Sequence, residues 1–310
     1  METKPSSGAV RIREVGPRDG LQNIPEQLTV ESKVSLINSL ALSGVQRMEV
    51  TSFVRPDLVP QLADGPQLLE RLRLPSSIEL SVLVPNPKGL DNAMRYRHRF
   101  HRIALFFSAS ETHNQKNVNS SVEDSLRMIE SMVPEINGAG LGSTVIIGTA
   151  FGCPYEGRVN SSLVLRYAER LAAAGVSEIG FGDTTGMSNP IQVQHFFDTA
   201  LTHLGGLELT AHFHNTRGQG LANAYAAWTA GCTSFEASFG ELGGCPVPPG
   251  STGNIATEDL VNMFNEMGLR TGISVPAVIG AASEAQKLLG RKLTSHCLVA
   301  GEVSWPGDGK

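Results

Sequence analysis

Short runs rich in Val, Ile, Phe and other apolar residues recur at 10–15, 47–53, 78–84, 102–108, 143–151, 176–183, 207–214 and 233–240. Each has the length and the β-branched or aromatic content of a buried strand. The segments between them place apolar residues at helical spacing, at 29–42, 121–136, 161–174, 190–204, 220–230 and 257–267, with shorter and weaker versions at 65–73 and 88–97. Thr29 stands where an N-cap would open the first of these. Gly44, Gly138, Gly175 and Gly231 follow helices, as C-caps favour.

Eight strands alternating with eight helices predict an α/β protein, a (β/α)8 TIM barrel. A doubly wound open sheet is the competing architecture, but it seldom needs eight such regular units. An additional C-terminal helix at 275–289 either covers the lower end of the barrel or forms a subunit contact. No linker-like break in composition interrupts the chain. Residues 9–292 therefore read as one domain, between a flexible start at 1–8 and an irregular tail at 293–310.

The 310 residues, 41% hydrophobic and 18% charged, are ample for a sizeable core. A net charge of −5 and a pI near 5.9 argue against nucleic acid as a partner. No apolar stretch is long enough for a bilayer, and the first residues lack the features of a signal or transit peptide. Cys153, Cys232, Cys245 and Cys297 are widely spaced with no CxxC pair, so a disulfide framework is not expected and a reducing cytoplasm is.

In barrels of this type the site lies at the C-terminal strand ends, and the unusual polar residues fall there. Arg18 and Asp19 follow the first run, and Glu49 lies in the second just before Thr51 and Ser52. Asp183 ends the sixth, and His212 and His214 end the seventh. Gly243-Gly244-Cys245-Pro246 and Gly250-Ser251-Thr252-Gly253-Asn254 follow the eighth. Side chains at i and i+2 of a strand share a face, so the two imidazoles can converge on one point. A carboxylate from another strand would make that point a metal site. Each residue also has an ordinary structural reading. Either histidine can be structural, Arg18-Asp19 a surface ion pair, Gly20 a turn residue, Glu49 a loop cap and Cys245 an inert buried thiol. Only their joint placement at one face is specific.

Longer motifs sharpen the reading. Val15-Gly16-Pro17-Arg18-Asp19-Gly20-Leu21-Gln22-Asn23, Glu49-Val50-Thr51-Ser52-Phe53-Val54 and Gly152-Cys153-Pro154-Tyr155-Glu156-Gly157 appear in that order. Gly182-Asp183-Thr184-Thr185-Gly186, the Gly-Gly-Cys-Pro loop and Gly253-Asn254-Ile255-Ala256-Thr257-Glu258-Asp259-Leu260 follow. Together they resemble the hydroxymethylglutaryl-CoA lyase family over about residues 9–292. Claisen-condensing relatives share the Arg-Asp-Gly and His-x-His elements but typically carry extra C-terminal domains, for which this chain leaves no room. A non-catalytic CoA-binding barrel is a further alternative, against which the intact set of polar residues counts.

The resemblance implies a metal-dependent lyase that splits a 3-hydroxy-3-substituted acyl-CoA between C2 and C3, by default 3-hydroxy-3-methylglutaryl-CoA to acetyl-CoA and acetoacetate. Asp19, His212, His214 and Asn254 would hold one Mg²⁺ or Mn²⁺. Arg18 would bind the enolate oxygen, Cys245 would supply a proton, and His212 or Asp19 would remove one. Glu49 and Asp183 would orient Arg18, the metal's waters or the proton relay. Arg18, Gln22, Ser52 and Thr184 are the implied substrate contacts, and Lys116 and Asn117, on a loop at 111–119, the implied contacts to coenzyme A. A homo-oligomer, dimer or tetramer, is also implied.

Several pocket positions depart from the family. Ile24-Pro25 stands where a Glu usually follows Gln-Asn; Ile146 and Gly148 stand where Tyr and Ser are usual. Gly180 replaces a Ser, Asn215 an Asp, and Val247-Pro248 a Tyr-Ala pair. The chemistry is thus better supported than the acyl group, and a longer-branched or malyl- or citramalyl-like 3-hydroxyacyl-CoA is the alternative substrate.

Overall fold

The computed structural model of the chain describes residues 8–244 and 253–305. Eight parallel strands run in chain order around a closed barrel, the last pairing with the first. They are β1 Arg11–Glu14, β2 Arg47–Ser52, β3 Glu79–Leu83, β4 Arg102–Ser108, β5 Gly142–Gly148, β6 Glu178–Asp183, β7 Glu208–Phe213 and β8 Ser234–Ala237. The outer ring comprises α1 Val30–Leu42, α2 Gly65–Arg71, α3 Pro87–Met94, α4 Glu111–Val118, α5 Val122–Gly138 and α6 Ser161–Ala173. It continues with α7 Pro190–His203, α8 Gly220–Thr229, α9 Thr257–Glu266, α10 Val275–Leu289 and α11 His296–Ala300. The expected TIM barrel is the observed fold.

Alternation along each strand sorts two chemically different faces. On β4, Ile103, Leu105 and Phe107 are buried beneath the helices, while Arg102, Ala104, Phe106 and Ser108 share the opposite, inward face. Helix α1 answers from outside with Leu36, Ile37 and Leu40, and Thr29 caps it by accepting from Ser32 N at 3.2 Å.

The inward positions toward the N-terminal strand ends hold charges rather than the usual branched aliphatics. Glu178 on β6, fully buried, is reached by Arg13 Nη2 at 2.6 Å and Arg47 Nη2 at 2.7 Å, and Thr210 Oγ1 donates to it at 2.6 Å. Arg47 also reaches Glu79 at 2.8 Å and Glu208 at 2.6 Å, and Arg13 Nη1 reaches Glu236 at 2.9 Å. Each guanidinium fork thus serves carboxylates from different strands, which its rigid planar geometry suits.

The structure departs from the sequence reading in its peripheral pieces. The stretch 111–119, read as a loop, contains α4, opened by Ser110 accepting from His113 N at 3.2 Å and closed by Asn119 at φ 52°. Its residues are mostly polar and exposed, so it lacks the apolar stripe that marks a helix in sequence. Helix α10 lies alongside α1 in the outer wall, not across the lower end; Ser35 and Ser39 donate to its Glu284 at 2.6 and 2.9 Å. The tail contains α11, whose first N–H groups, on His296 and Cys297, are capped by Asp259 at 2.9 and 2.7 Å. No helix among the described residues is long and apolar enough to cross a membrane.

Removing one member of a buried ion network leaves its partners charged and uncompensated. Glu178→Ala is therefore expected to cost about 3–5 kcal/mol of stability in urea unfolding at neutral pH; a loss below about 1 kcal/mol would assign the network little part in holding the barrel.

Candidate active site and metal centre

The turn after β1 is set by backbone geometry. Val15 O accepts from Arg18 N at 3.1 Å, Asp19 N at 2.7 Å and Gly20 N at 3.4 Å, a widened helical turn over Gly16–Gly20. It presses against the end of β8 so closely that a Cβ on Gly16 would lie 2.5 Å from the Phe239 ring, so only glycine fits. Arg18 and Asp19 are carried at the barrel mouth. Arg18 Nη1 donates to Asp19 Oδ1 at 2.8 Å, and its Nε forms a close ion pair with Glu49 Oε1. Glu49 immediately precedes a bulge in β2, where pairing with β3 skips Val50, and bulges of this kind re-aim side chains beside active sites.

Across the mouth, His212 and His214 face one another with their Nε2 atoms 3.2 Å apart. His212 Nδ1 is held by Glu236 Oε2 at 2.9 Å, and Glu236 Oε1 is bound to Arg13. Asp19, His212 and His214 each offer a ligand atom within 4.8 Å of the others. Asn254 joins them from the segment after β8, pairing with His214 as an isolated bridge and donating from Nδ2 to Asp19 Oδ2 at 2.7 Å.

The electrostatics suit a cation. Burial opposes ionisation of Asp19, but Arg18 and the two imidazoles outweigh it and hold the carboxyl at about 2. Burial, then the neighbouring His212, push His214 down to about 3, so its imidazole is neutral with a lone pair to give. Burial also works against protonated His212, yet the Glu236 carboxylate prevails and raises its pKa. Two facing Nε2 atoms need either a shared proton or a common electrophile between them. Asn254 Oδ1, buried with no hydrogen-bond partner among the described residues, offers a further acceptor. This donor set fits a divalent cation.

The other sequence candidates divide. Gln22 joins the cluster, its Oε1 lying 3.5 Å from Arg18 Nη1. Ser52 is buried and its Oγ has no partner among the described residues. Thr184 Oγ1 accepts from Thr149 N at 2.9 Å. Asp183 is engaged locally instead of with Arg18: its oxygens accept from Met187 N at 2.9 Å, Ser188 N at 3.1 Å and Ser188 Oγ at 2.6 Å. Lys116 and Asn117 are exposed on α4, with Lys116 Nζ 5.0 Å from the centre of the Tyr155 ring. Cys245 lies outside the described residues. The residue that sequence reasoning missed is Glu236. Its one signal was a carboxylate inside an apolar strand run, at the same parity as the inward positions of β8.

A family model described as HMGL-like matches residues 9–283. The chain belongs to the HMGL-like family. Among its relatives, the hydroxymethylglutaryl-CoA lyase YngG of Bacillus subtilis is 40% identical over 289 residues, 93% of this chain and 96% of the relative. An (R)-citramalyl-CoA lyase of Chloroflexus aurantiacus is 41% identical over 305 residues, 95% of this chain and 96% of that protein. Among solved structures, an HMG-CoA lyase from Acinetobacter baumannii in complex with coenzyme A and 3-methylmalate superposes with a TM-score of 0.91 at 37% identity, covering 98% of each chain.

A ligand that binds only the folded HMGL-like chain stabilises it by mass action, by about 2.7 kcal/mol at a hundredfold excess over Kd. Mn²⁺ is therefore expected to raise the melting temperature of the wild type, and His214→Ala to abolish that rise. An equal rise in both would place the cation elsewhere.

Proposed function

We propose that the chain is a divalent-metal-dependent carbon–carbon lyase that cleaves a 3-hydroxy-3-substituted acyl-CoA between C2 and C3. The default substrate is 3-hydroxy-3-methylglutaryl-CoA, giving acetyl-CoA and acetoacetate. The observation that carries this reading is the convergence of Arg18, Asp19, His212 and His214 at one barrel mouth. Similarity to hydroxymethylglutaryl-CoA lyases over nearly the whole chain supports it.

Asp19, His212, His214 and Asn254 would hold the ion, and a carboxylate, two imidazoles and an amide oxygen without thiolate suit Mg²⁺ or Mn²⁺. A cation held there would supply Lewis-acid chemistry, lowering the pKa of a substrate hydroxyl. Asp19 and His212 are the two proposed candidates for the base that takes the hydroxyl proton, and both also belong to the proposed ligand set. Loss of the hydroxyl proton turns C3 into a ketone as the C2–C3 bond breaks. The bonding pair passes into the thioester as an enolate.

Arg18 is the group for that developing charge. Glu49 and Asp19 hold its Nε and Nη1, which fixes the plane of the guanidinium. Among the described residues nothing accepts from its Nη2, which leaves donors for the enolate oxygen. Cys245 is the proposed donor of the proton that C2 takes up. Gln22, Ser52 and Thr184 are the proposed substrate contacts, and Lys116 and Asn117 the proposed contacts to coenzyme A. The free cysteines Cys153, Cys232 and Cys297 fit a reducing cytoplasm.

A second reading concerns the acyl group, and the wall beside His212 favours it. Gly182 pairs with His212 in register, and Gly180 with Ile146 on the far side. A Cβ on Gly180 would meet Ile146 Cδ1 at 2.2 Å, and one on Gly148 would meet the Phe106 ring at 2.7 Å. Ile146 and Phe106 thus fill the space that side chains at these glycines would take. The wall they make offers no hydrogen-bond donor from its side chains. An apolar wall discriminates only weakly between alkyl branches, whereas a hydrogen-bonding one rejects substrates lacking its partner. Such a wall would tolerate a C3 branch other than the methyl of the default substrate.

The test is acetyl-CoA release from 3-hydroxy-3-methylglutaryl-CoA and from a longer-branched analogue, each with Mn²⁺ and with EDTA. Metal-dependent release is expected from both, with kcat/KM for the analogue at least equal. No metal-dependent release from either, nor from citramalyl-CoA, would overturn the lyase reading; a clear preference for the methyl substrate would remove only the second one.

A further inference from the structure

We infer that Glu241 is a positioning residue that clamps the segment after His214 to the C-terminal segment, and so sets the placement of His214 and Asn254. The inference rests on the metal reading of that site. Glu241 lies in the single turn Phe239–Glu241 after β8, at φ +61°, a left-handed conformation in which a side chain costs energy. Such a conformation persists where its surroundings hold it. Glu241 Oε1 accepts from Asn215 Nδ2 at 2.6 Å, and Oε2 accepts from Thr294 Oγ1 at 2.6 Å.

Both contacts lead to the candidate ligands. Asn215 directly follows His214; its N–H donates to Gly253 O at 3.1 Å, and its Oδ1 accepts from Gly220 N at 3.2 Å. Gly253 directly precedes Asn254, and it packs so tightly on Glu241 that a Cβ there would fall 1.9 Å from the Glu241 carbonyl oxygen. The side chain of Glu241 therefore holds the residue after one ligand, and its backbone abuts the residue before another. The third party is the C-terminal segment, where Leu293 fills the space over Gly240 and Ser295 Oγ donates to buried Glu258. Glycine at 241 would relieve the backbone but release both contacts. The carboxylate is needed for reach and acceptors, not for its charge: a glutamine can accept from Asn215 and donate to the Thr294 hydroxyl.

The test compares E241A, E241G and E241Q with the wild type by the electron paramagnetic resonance signal of free Mn²⁺, alongside melting temperature and steady-state kinetics. Loss of a group that orients a metal ligand typically weakens binding about 10–100-fold, and a weakening in that range is expected for E241A and E241G. Both are expected to lose kcat with little change in KM, and E241G to melt above E241A. E241Q should bind Mn²⁺ nearly as tightly as the wild type. The inference is overturned if E241G binds Mn²⁺ as tightly as the wild type, whatever E241A does to folding, or if E241Q binds as weakly as E241G. A wild type that binds no Mn²⁺ overturns the metal reading and this inference with it, whereas equal binding by all forms overturns the clamp alone.

Discussion

Glu236 sits on β8 with one carboxylate oxygen on the Arg13 guanidinium and the other on His212 Nδ1, each at 2.9 Å. Bound on both sides, the carboxylate cannot turn. It keeps the proton of His212 on Nδ1 and aims Nε2 at His214 and Asp19, as a carboxylate behind an imidazole does when it fixes the ring's tautomer and orientation. Arg13 in turn is fixed by Glu178, which also receives Arg47. The orientation of one imidazole at the mouth is thereby tied to the ion network filling the barrel below it.

That arrangement is a poor way to gain stability and a good way to gain definition. Buried ion pairs lose much of their Coulomb attraction to desolvation, and an aliphatic interior is often at least as stable. The apolar drive here comes from the outer face of the barrel, where positions such as Ile103, Leu105 and Phe107 are buried beneath helices. The inner face is then free to hold charges in fixed places. The same division explains the mouth: Glu49 locks Arg18, Glu236 locks His212, and the apolar side chains of Phe106 and Ile146 fill the space beside Gly148 and Gly180.

The barrel was legible because its outer face writes an apolar run for each strand, and the turns between runs carry caps such as Thr29. Arg18, Asp19 and the histidine pair were legible because they sit where those runs end. The ion network was not. Arg13, Arg47, Glu178 and Glu236 lie within the runs, and periodicity does not say whether an inward position meets water, substrate or another charge. Asp183 was placed at the mouth but not in its local role, since the hydrogen bonds that Met187 and Ser188 give it depend on how the following turn closes. Helix α4 was missed because its polar surface carries no stripe. Glu241 was invisible for a different reason, since its partners Asn215 and Thr294 are far away in sequence and its left-handed backbone leaves no mark in composition.

The ends of strands β1 and β7 would deliver Asp19 and two oriented imidazoles to one cation. The direct measurement is pulsed electron paramagnetic resonance of the Mn²⁺-loaded protein, reading nitrogen couplings to the ion. Couplings from two imidazole nitrogens, reduced to one in His214→Ala, are the predicted result. A Mn²⁺ spectrum with no histidine coupling would contradict a metal centre at the two imidazoles.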